Sequence, residues 1–272
     1  MDYKKEYVFL AVILILIIII YFSSKEKNND KDDIIFKLKE VLRVYHFDNK
    51  IRLGNDYDGG YVLCDIDEPY DCYISAGVGN EESFSRDFII KYNMNKSNCF
   101  AFDGTIYDYP YNYYTKDITF FKKNIGNFND DSHTDLSFLL DKYNNIFLKM
   151  DIEGSEYKWI KTVSEEMLSN IKQIVIEFHG ICDDTYDCRF QDKIECFEKL
   201  NKTHYITHIH ANNYSPILFN AIPIVIELTY INKRYFKHKP PELNKHFLPI
   251  NDLDFPNNIH SEDIDLSYFT ST

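Results

Sequence analysis

The 272-residue chain carries a formal net charge of −13 and has a sequence pI near 5.1. An acidic balance of this size argues against a phosphate backbone as partner, so no nucleic acid is expected to bind. Six cysteines permit three disulfides without demanding them, and no C-x-x-C pair points to zinc.

Residues 1–6 form a short tail, and residues 7–22 (YVFLAVILILIIIIYF) contain no charged side chain. As a helix that run covers about 24 Å, against a hydrocarbon core of about 30 Å, with Tyr7 and Tyr21 placed at the two interfaces. The following YFSSKEKNND offers no A-x-A-like cleavage site, which favours a single-pass signal anchor over a removed leader. Lysines flank both ends, so the side of the membrane stays open. Residues 23–32 read as a linker, and residues 33–272 as one α/β domain.

Ile34, Leu38, Val41, Leu42 and Tyr45 recur at helical spacing and predict an amphipathic helix over 33–45. IRLGNDYDGGYVLCD, residues 51–65, is two short β-like runs around an Asp58-Gly59-Gly60 turn. In CYISAGVGNEESFSRDF, residues 72–88, a buried strand runs through Ser75 into a loop with Gly77 and Gly79. A helix with Phe84, Phe88, Ile89 and Tyr92 on one face follows, and strand, glycine loop and helix make the first half of a nucleotide-type site. CFAFDG, residues 99–104, is a second buried strand ending in Asp103, where a carboxylate can accept hydrogen bonds from a ribose diol.

The tyrosine-rich stretch 106–115 looks like a loop or lid, residues 118–126 a third strand, and 134–143 a short helix. LKMDIEGSEYKWI, residues 148–160, is a strand ending in Asp151 and Glu153, a tight turn at Gly154, and a helix capped by Ser155. Tyr157, Ile160, Val163 and Met167 lie on one side of that helix. QIVIEFHG, 173–180, is a fifth strand that stays apolar until Glu177 and His179, and 187–201 is a helix. YITHIHANNY, 205–214, is a sixth strand with His208 and His210 near its end, and IPIVIELTYI, 222–231, a seventh. Alternating strands and helices predict a Rossmann-like, seven-stranded, mostly parallel sheet with helices on both faces.

Side chains two apart on a strand share a face. Asp151/Glu153, Glu177/His179 and His208/His210 are three such pairs, and neighbouring strands would bring them into one cleft. An imidazole there could take a proton from a substrate hydroxyl, with Glu177, His179, His208 and His210 as catalytic candidates. Alternatively, Asp151, Glu177 and His210 could hold a divalent cation that polarises the hydroxyl.

These motifs, with NDLDFPNN at 251–258, resemble the FkbM-type methyltransferases, in the methyltransferase-21 branch of the S-adenosylmethionine-dependent superfamily. The likeness runs from about residue 51 to the end, and LKMDIEGSE is its most specific part. It implies a Rossmann-like domain binding S-adenosylmethionine, with Gly77 and Gly79 against the methionine part, Asp103 on the ribose, and Asp151 and Glu153 beside the methyl donor. It also implies transfer to a hydroxyl, with sugars, glycans or small molecules as acceptors. Many methyltransferases of this broad class carry an acid where Ser75 stands, so Asp151 or Glu153 is expected to meet the donor's amino group instead.

Two other readings compete. A dinucleotide oxidoreductase using NAD would need G-x-G-x-x-G, but the run from Gly77 has Glu82 at the third glycine position. A membrane-anchored adaptor that keeps the fold without activity is the other.

Overall fold

A computed structural model describes residues 31–110, 117–218, 222–236 and 239–270. The apolar span 7–22, nearly all of the linker, and residues 111–115 of the tyrosine-rich loop lie outside the described residues. Among the described residues no helix is long and apolar enough to cross a membrane. The chain divides into two compact units, Met1–Glu40 and Val41–Thr272. Of the first, residues 31–40 are described and are helical, the helix α1 ending at residue 41. The predicted helix was longer at its C-terminal end: Val44 and Tyr45 instead form isolated bridges to Ile206 and Leu243.

The second unit is an α/β fold around a seven-stranded mixed sheet. Strands β1 (Lys50–Leu53) and β2 (Tyr61–Cys64) form the expected antiparallel hairpin outside that sheet. Next come β3 (Cys72–Ala76), α2 (Ser83–Lys91), β4 (Cys99–Phe102) and β5 (Thr119–Phe121). The short pair β6 (Asn124–Ile125) and β7 (His133–Thr134) precedes α3 (Ser137–Leu140), β8 (Ile146–Met150), α4 (Glu156–Thr162) and α5 (Glu165–Ser169). After β9 (Ile171–Phe178), α6 (Phe190–Thr203) and β10 (His204–Ala211), the short β11 (Ile217–Leu218) and β12 (Ile222–Pro223) lead to β13 (Ile226–Asn232).

The sheet order is β10-β13-β9-β8-β3-β4-β5, and only β13 runs antiparallel to its neighbours. From β3 the chain builds outward to β5, then returns to lay β8 against the other side of β3. Such a reversal opens a crevice at the carboxyl ends of the two strands, where ligands of open α/β sheets sit.

Burial on both faces explains the unbroken apolar character of the central strands: all eight residues of β9 and all five of β8 are buried. On one face Tyr73 and Phe147 stack with Phe88 of α2, ring centroids 4.6 and 4.2 Å apart. On the other, Phe178 packs against Phe197 of α6 at 4.8 Å and Tyr157 of α4 at 5.4 Å.

The strand expected over 118–126 divides into β5 and β6, which pairs with β7 outside the main sheet, and three further elements differ from expectation for local reasons. The helix after β8 is broken, because Val163 is extended and Ser164 caps a new helix by accepting from the Met167 N–H. Ser155 makes no side-chain cap at α4. The expected helix over 134–143 shrinks to the four residues of α3, preceded by Leu136 in the left-handed region at φ +65°. The expected strand over 222–231 splits at Pro223, which has no N–H to give a central ladder, and its first two residues pair with β11 instead.

Candidate functional site

The crevice begins where β3, β4 and β8 end together. Gly77 N donates to Phe102 O and Asp151 N to Ala76 O, both at 2.9 Å, so the first residue beyond each strand is still tied to its neighbour. Gly77 has φ +77°, and a Cβ there would lie 1.6 Å from the Asp151 carbonyl oxygen. Only glycine fits this approach. Lys149 Nζ donates to Gly77 O at 2.8 Å and lies 3.8 Å from Asp151 Oδ2, clasping the loop from beneath.

Asp103 completes the clasp. Its Oδ2 accepts from Val78 N at 2.9 Å and Gly79 N at 2.8 Å; its Oδ1 accepts from Thr105 N at 2.7 Å and Thr105 Oγ1 at 2.6 Å. Burial alone would raise its pKa, but hydrogen bonds from Thr105, Gly79 and Val78 outweigh it and hold the carboxyl below its ordinary value. A carboxylate offers about four lone-pair sites, and four donors occupy them. Asp103 therefore organises the glycine loop, and a ribose diol would have to displace the Thr105 hydroxyl to reach it.

Ser75, Gly77, Gly79, Asp103, Asp151 and Glu153, six residues picked from the sequence, line one cavity of about 660 Å³. That is within the usual range for small-molecule sites, about 300–1,000 Å³. The lining also includes Asn124, Ile125, Phe128 and His133, with the Phe128 and His133 rings 4.6 Å apart. Ser75, Ser85 and Glu82 line the cavity too. Glu82 is 2% exposed, its Oε2 accepts from Tyr109 Oη at 3.4 Å, and its Oε1 is buried with no hydrogen-bond partner among the described residues. Burial pushes its carboxyl up to about 7, against a smaller opposing pull from Arg86.

Beside Asp151, buried behind the cavity and not among the residues that line it, the end of β9 contributes Glu177 and His179. One ligand-type atom from each of these three residues lies within 4.8 Å of the others. His179 Nε2 is 3.8 Å from Glu177 Oε1 and 3.4 Å from Glu153 Oε2, while Nδ1 lies 3.2 Å from Glu156 Oε1. Glu156 is fully buried, and the same oxygen accepts from Ile152 N at 3.2 Å and Gly154 N at 3.1 Å. It thus holds the tight turn and the imidazole at once. Glu153 pays for the turn with a left-handed φ of +54°. Burial, then the charges of Asp151 and Glu227, push the Glu177 carboxyl well above its ordinary value. For His179, burial would lower the pKa, but the hydrogen bond and charge of Glu156 and the charges of Glu177 and Asp151 raise it to about 9.

His208 and His210 lie elsewhere. The antiparallel β13 separates β10 from β9, and neither imidazole lines the cavity. His208 Nε2 meets Asp254 Oδ1 at 2.8 Å, and burial keeps the ring below its ordinary pKa. His210 is held by Glu227 through Nδ1 and by Asp263 through Nε2, both at 3.1 Å. Burial opposes the charge of His210, but Glu227 and Asp263 outweigh it and raise the pKa to about 10. Glu227 pairs across the ladder with Glu177, so a polar chain links the two regions without opening the second to the cleft.

Sequence reasoning missed Glu82, Lys149 and Glu156. Lys149 left a signal, as the one charge within a buried apolar strand. Glu82 left a weaker one, as an acid where a dinucleotide loop needs glycine. Glu156 looks from sequence like an ordinary first-turn acid. The sequence matches no protein-family model and no curated protein.

Proposed function

We propose that this chain is an S-adenosylmethionine-dependent methyltransferase of Rossmann-like fold, acting on a hydroxyl of a sugar, glycan or small molecule and anchored to a membrane through residues 7–22. The observation that carries the reading is the junction of Gly77, Asp103 and Asp151 beside the strand reversal, around a cavity of about 660 Å³.

The lining suits the parts of that donor. Glu82, which lines the same cavity, supplies a carboxylate for the methionine ammonium, the contact expected from the sequence of Asp151 or Glu153. Ile125, Phe128 and His133 offer apolar and aromatic surface for the adenine. Asp103 keeps the loop in shape, and a ribose hydroxyl would reach its Oδ1 by displacing the Thr105 hydroxyl. When bound, S-adenosylmethionine supplies an electrophilic methyl, which leaves the sulfonium sulfur for the acceptor oxygen as the C–S bond breaks. The chain's own part is to align the two reactants and to receive the hydroxyl proton. Asp151 Oδ1, buried with no hydrogen-bond partner among the described residues, is the oxygen positioned to take it.

A dinucleotide oxidoreductase fits less well, because Glu82 would face a pyrophosphate with a buried carboxylate. An inactive adaptor fits less well because the unpartnered oxygens of Glu82 and Asp151, unlike those of the Tyr157 and Tyr230 hydroxyls, belong to charged side chains that line the cavity. The test is thermal unfolding of the full chain in mild detergent with S-adenosylmethionine, S-adenosylhomocysteine or NAD. Stabilisation by the first two, saturating with concentration, is expected; stabilisation by NAD alone, or by none, overturns the reading.

A further inference from the structure

We infer that Asp151, Glu177 and His179 form the protein half of a divalent-cation site, of the Mn²⁺ class, at the wall of the cavity that Asp151 lines. Glu177 and His179 take no part in the methyl-donor reading; Asp151 is shared with it, and with the ion bound its Oδ1 would serve as a ligand in place of proton acceptor. One donor atom from each residue already lies within 4.8 Å of the other two. Ligands about 2.1 Å from a common ion stand about 3–4 Å apart, so a small contraction completes the set.

The imidazole is prepared for this role. Glu156, fully buried, engages Nδ1 of His179, which leaves Nε2 facing Glu177 and Glu153. A carboxylate behind the far nitrogen of a ligating histidine is the usual device for fixing its tautomer and direction. Glu177 is steadied in turn by Asn212, whose Nδ2 donates to Oε1 at 2.9 Å. A second sign is Asp151 Oδ1, a covered oxygen with no hydrogen-bond partner among the described residues, on a side chain that is 26% exposed and borders the cavity. The nearest amino group, Lys149 Nζ, is 3.8 Å from the other oxygen and spends its hydrogen bond on Gly77 O.

Two carboxylates and one imidazole suit a cation that accepts both oxygen and nitrogen, which favours Mn²⁺ over Ca²⁺. Three protein ligands leave positions for water or substrate. Joined to the methyltransferase reading, on which this last step rests, those positions fit an acceptor presenting two adjacent hydroxyls.

The test is an electron paramagnetic resonance titration of the full chain in mild detergent with Mn²⁺ alone. One saturable Mn²⁺ per chain is expected, with spin-echo modulation from one directly bound nitrogen in the wild-type protein. His179→Gln should remove that modulation and, like Glu177→Gln, weaken binding at least tenfold, while the surface change Glu165→Gln leaves it within twofold. The wild-type nitrogen signal decides the matter even if a variant fails to fold. Absence of saturable binding, or binding without nitrogen modulation, overturns the site. A separate titration with S-adenosylhomocysteine keeps the two readings apart. Nucleoside binding without Mn²⁺ retires the cation site, and Mn²⁺ binding without nucleoside retires the methyltransferase reading alone.

Discussion

At the end of β9, Glu177 and His179 stand two residues apart; near the end of β10, His208 and His210 do the same. Both pairs are buried and both face carboxylates. They differ in how the surrounding charges are used. His210 has a carboxylate on each nitrogen, Glu227 and Asp263, and those acids come from the neighbouring strand and the C-terminal tail. His208 is held by Asp254 of the same tail. Around His179 the carboxylates of Asp151, Glu153, Glu156 and Glu177 converge on one ring, and Asp151 borders the cavity with an unpartnered oxygen. One arrangement locks a tail onto a sheet; the other holds interaction capacity toward a ligand. Neither residue type nor the count of satisfied atoms separates them, because His208 Nδ1 and Asn257 Oδ1 also lack a hydrogen-bond partner among the described residues; what differs is that Asp151 borders the cavity.

The harshest way to break this comparison is at the loop both readings of the cleft share. Gly77→Ala forces a Cβ against the Asp151 carbonyl oxygen, at a left-handed φ. We expect donor affinity to fall more than 100-fold by isothermal titration. Unchanged affinity would mean that the loop does not touch the ligand. Asp151→Ala should abolish turnover for a second reason, loss of the oxygen nearest the acceptor.

A paired substitution sharpens the contrast next. His179→Ala should lower turnover about 100-fold and leave donor affinity within threefold. His210→Ala should leave donor affinity within threefold and reduce unfolding free energy by about 3–5 kcal/mol, since it strands Glu227 and Asp263. Equal stability losses with equal activity losses in the two variants would erase the distinction. The His210 contribution also has a pH signature. A folded-state pKa raised to about 10, against about 6.5 unfolded, stabilises fully below pH 6.5 and fades as pH rises toward 10. Denaturant titrations of wild type and His210→Gln should therefore converge over that range.

How much of this was legible beforehand follows from what hydrophobic patterning encodes. The runs Tyr73–Ala76, Phe100–Phe102, Leu148–Met150 and Ile174–Ile176 are apolar but for Ser75 and Lys149 and lead into a glycine or an acid, so strand ends and their first functional residues could be read directly. Six of the expected cofactor residues line the same cavity for that reason. Pattern reports burial but not partners. Nothing local to YITHIHANNY says that β13 will insert between it and β9, and that insertion takes His208 and His210 away from the cleft. Their partners lie 17 to 53 residues further along the chain. The break at Ser164 was also missed, because Tyr157, Ile160, Val163 and Met167 keep helical spacing across it. Asp103 was found for its position, yet its oxygens turn inward to Val78, Gly79 and Thr105.

Glu82 offers the mildest and most discriminating change, because it should move stability and binding in opposite directions. Its folded-state carboxyl sits near 7, against about 4.5 unfolded, so the native state holds the proton more tightly. Stability from this group is therefore present below pH 4.5 and lost as pH rises toward 7. The full effect of that difference is an upper bound of about 3 kcal/mol. Glu82→Gln removes the titration while keeping an acceptor for the Tyr109 hydroxyl. At pH 8 the variant should be more stable than wild type by about 1–2 kcal/mol in urea denaturation. Its affinity for S-adenosylmethionine should fall about tenfold and become flat with pH. Wild-type affinity should instead weaken as pH drops below 7 and the carboxylate that meets the ammonium is protonated. A variant that gains stability but keeps wild-type affinity at pH 8 would move the ammonium contact from Glu82 to Asp151 or Glu153.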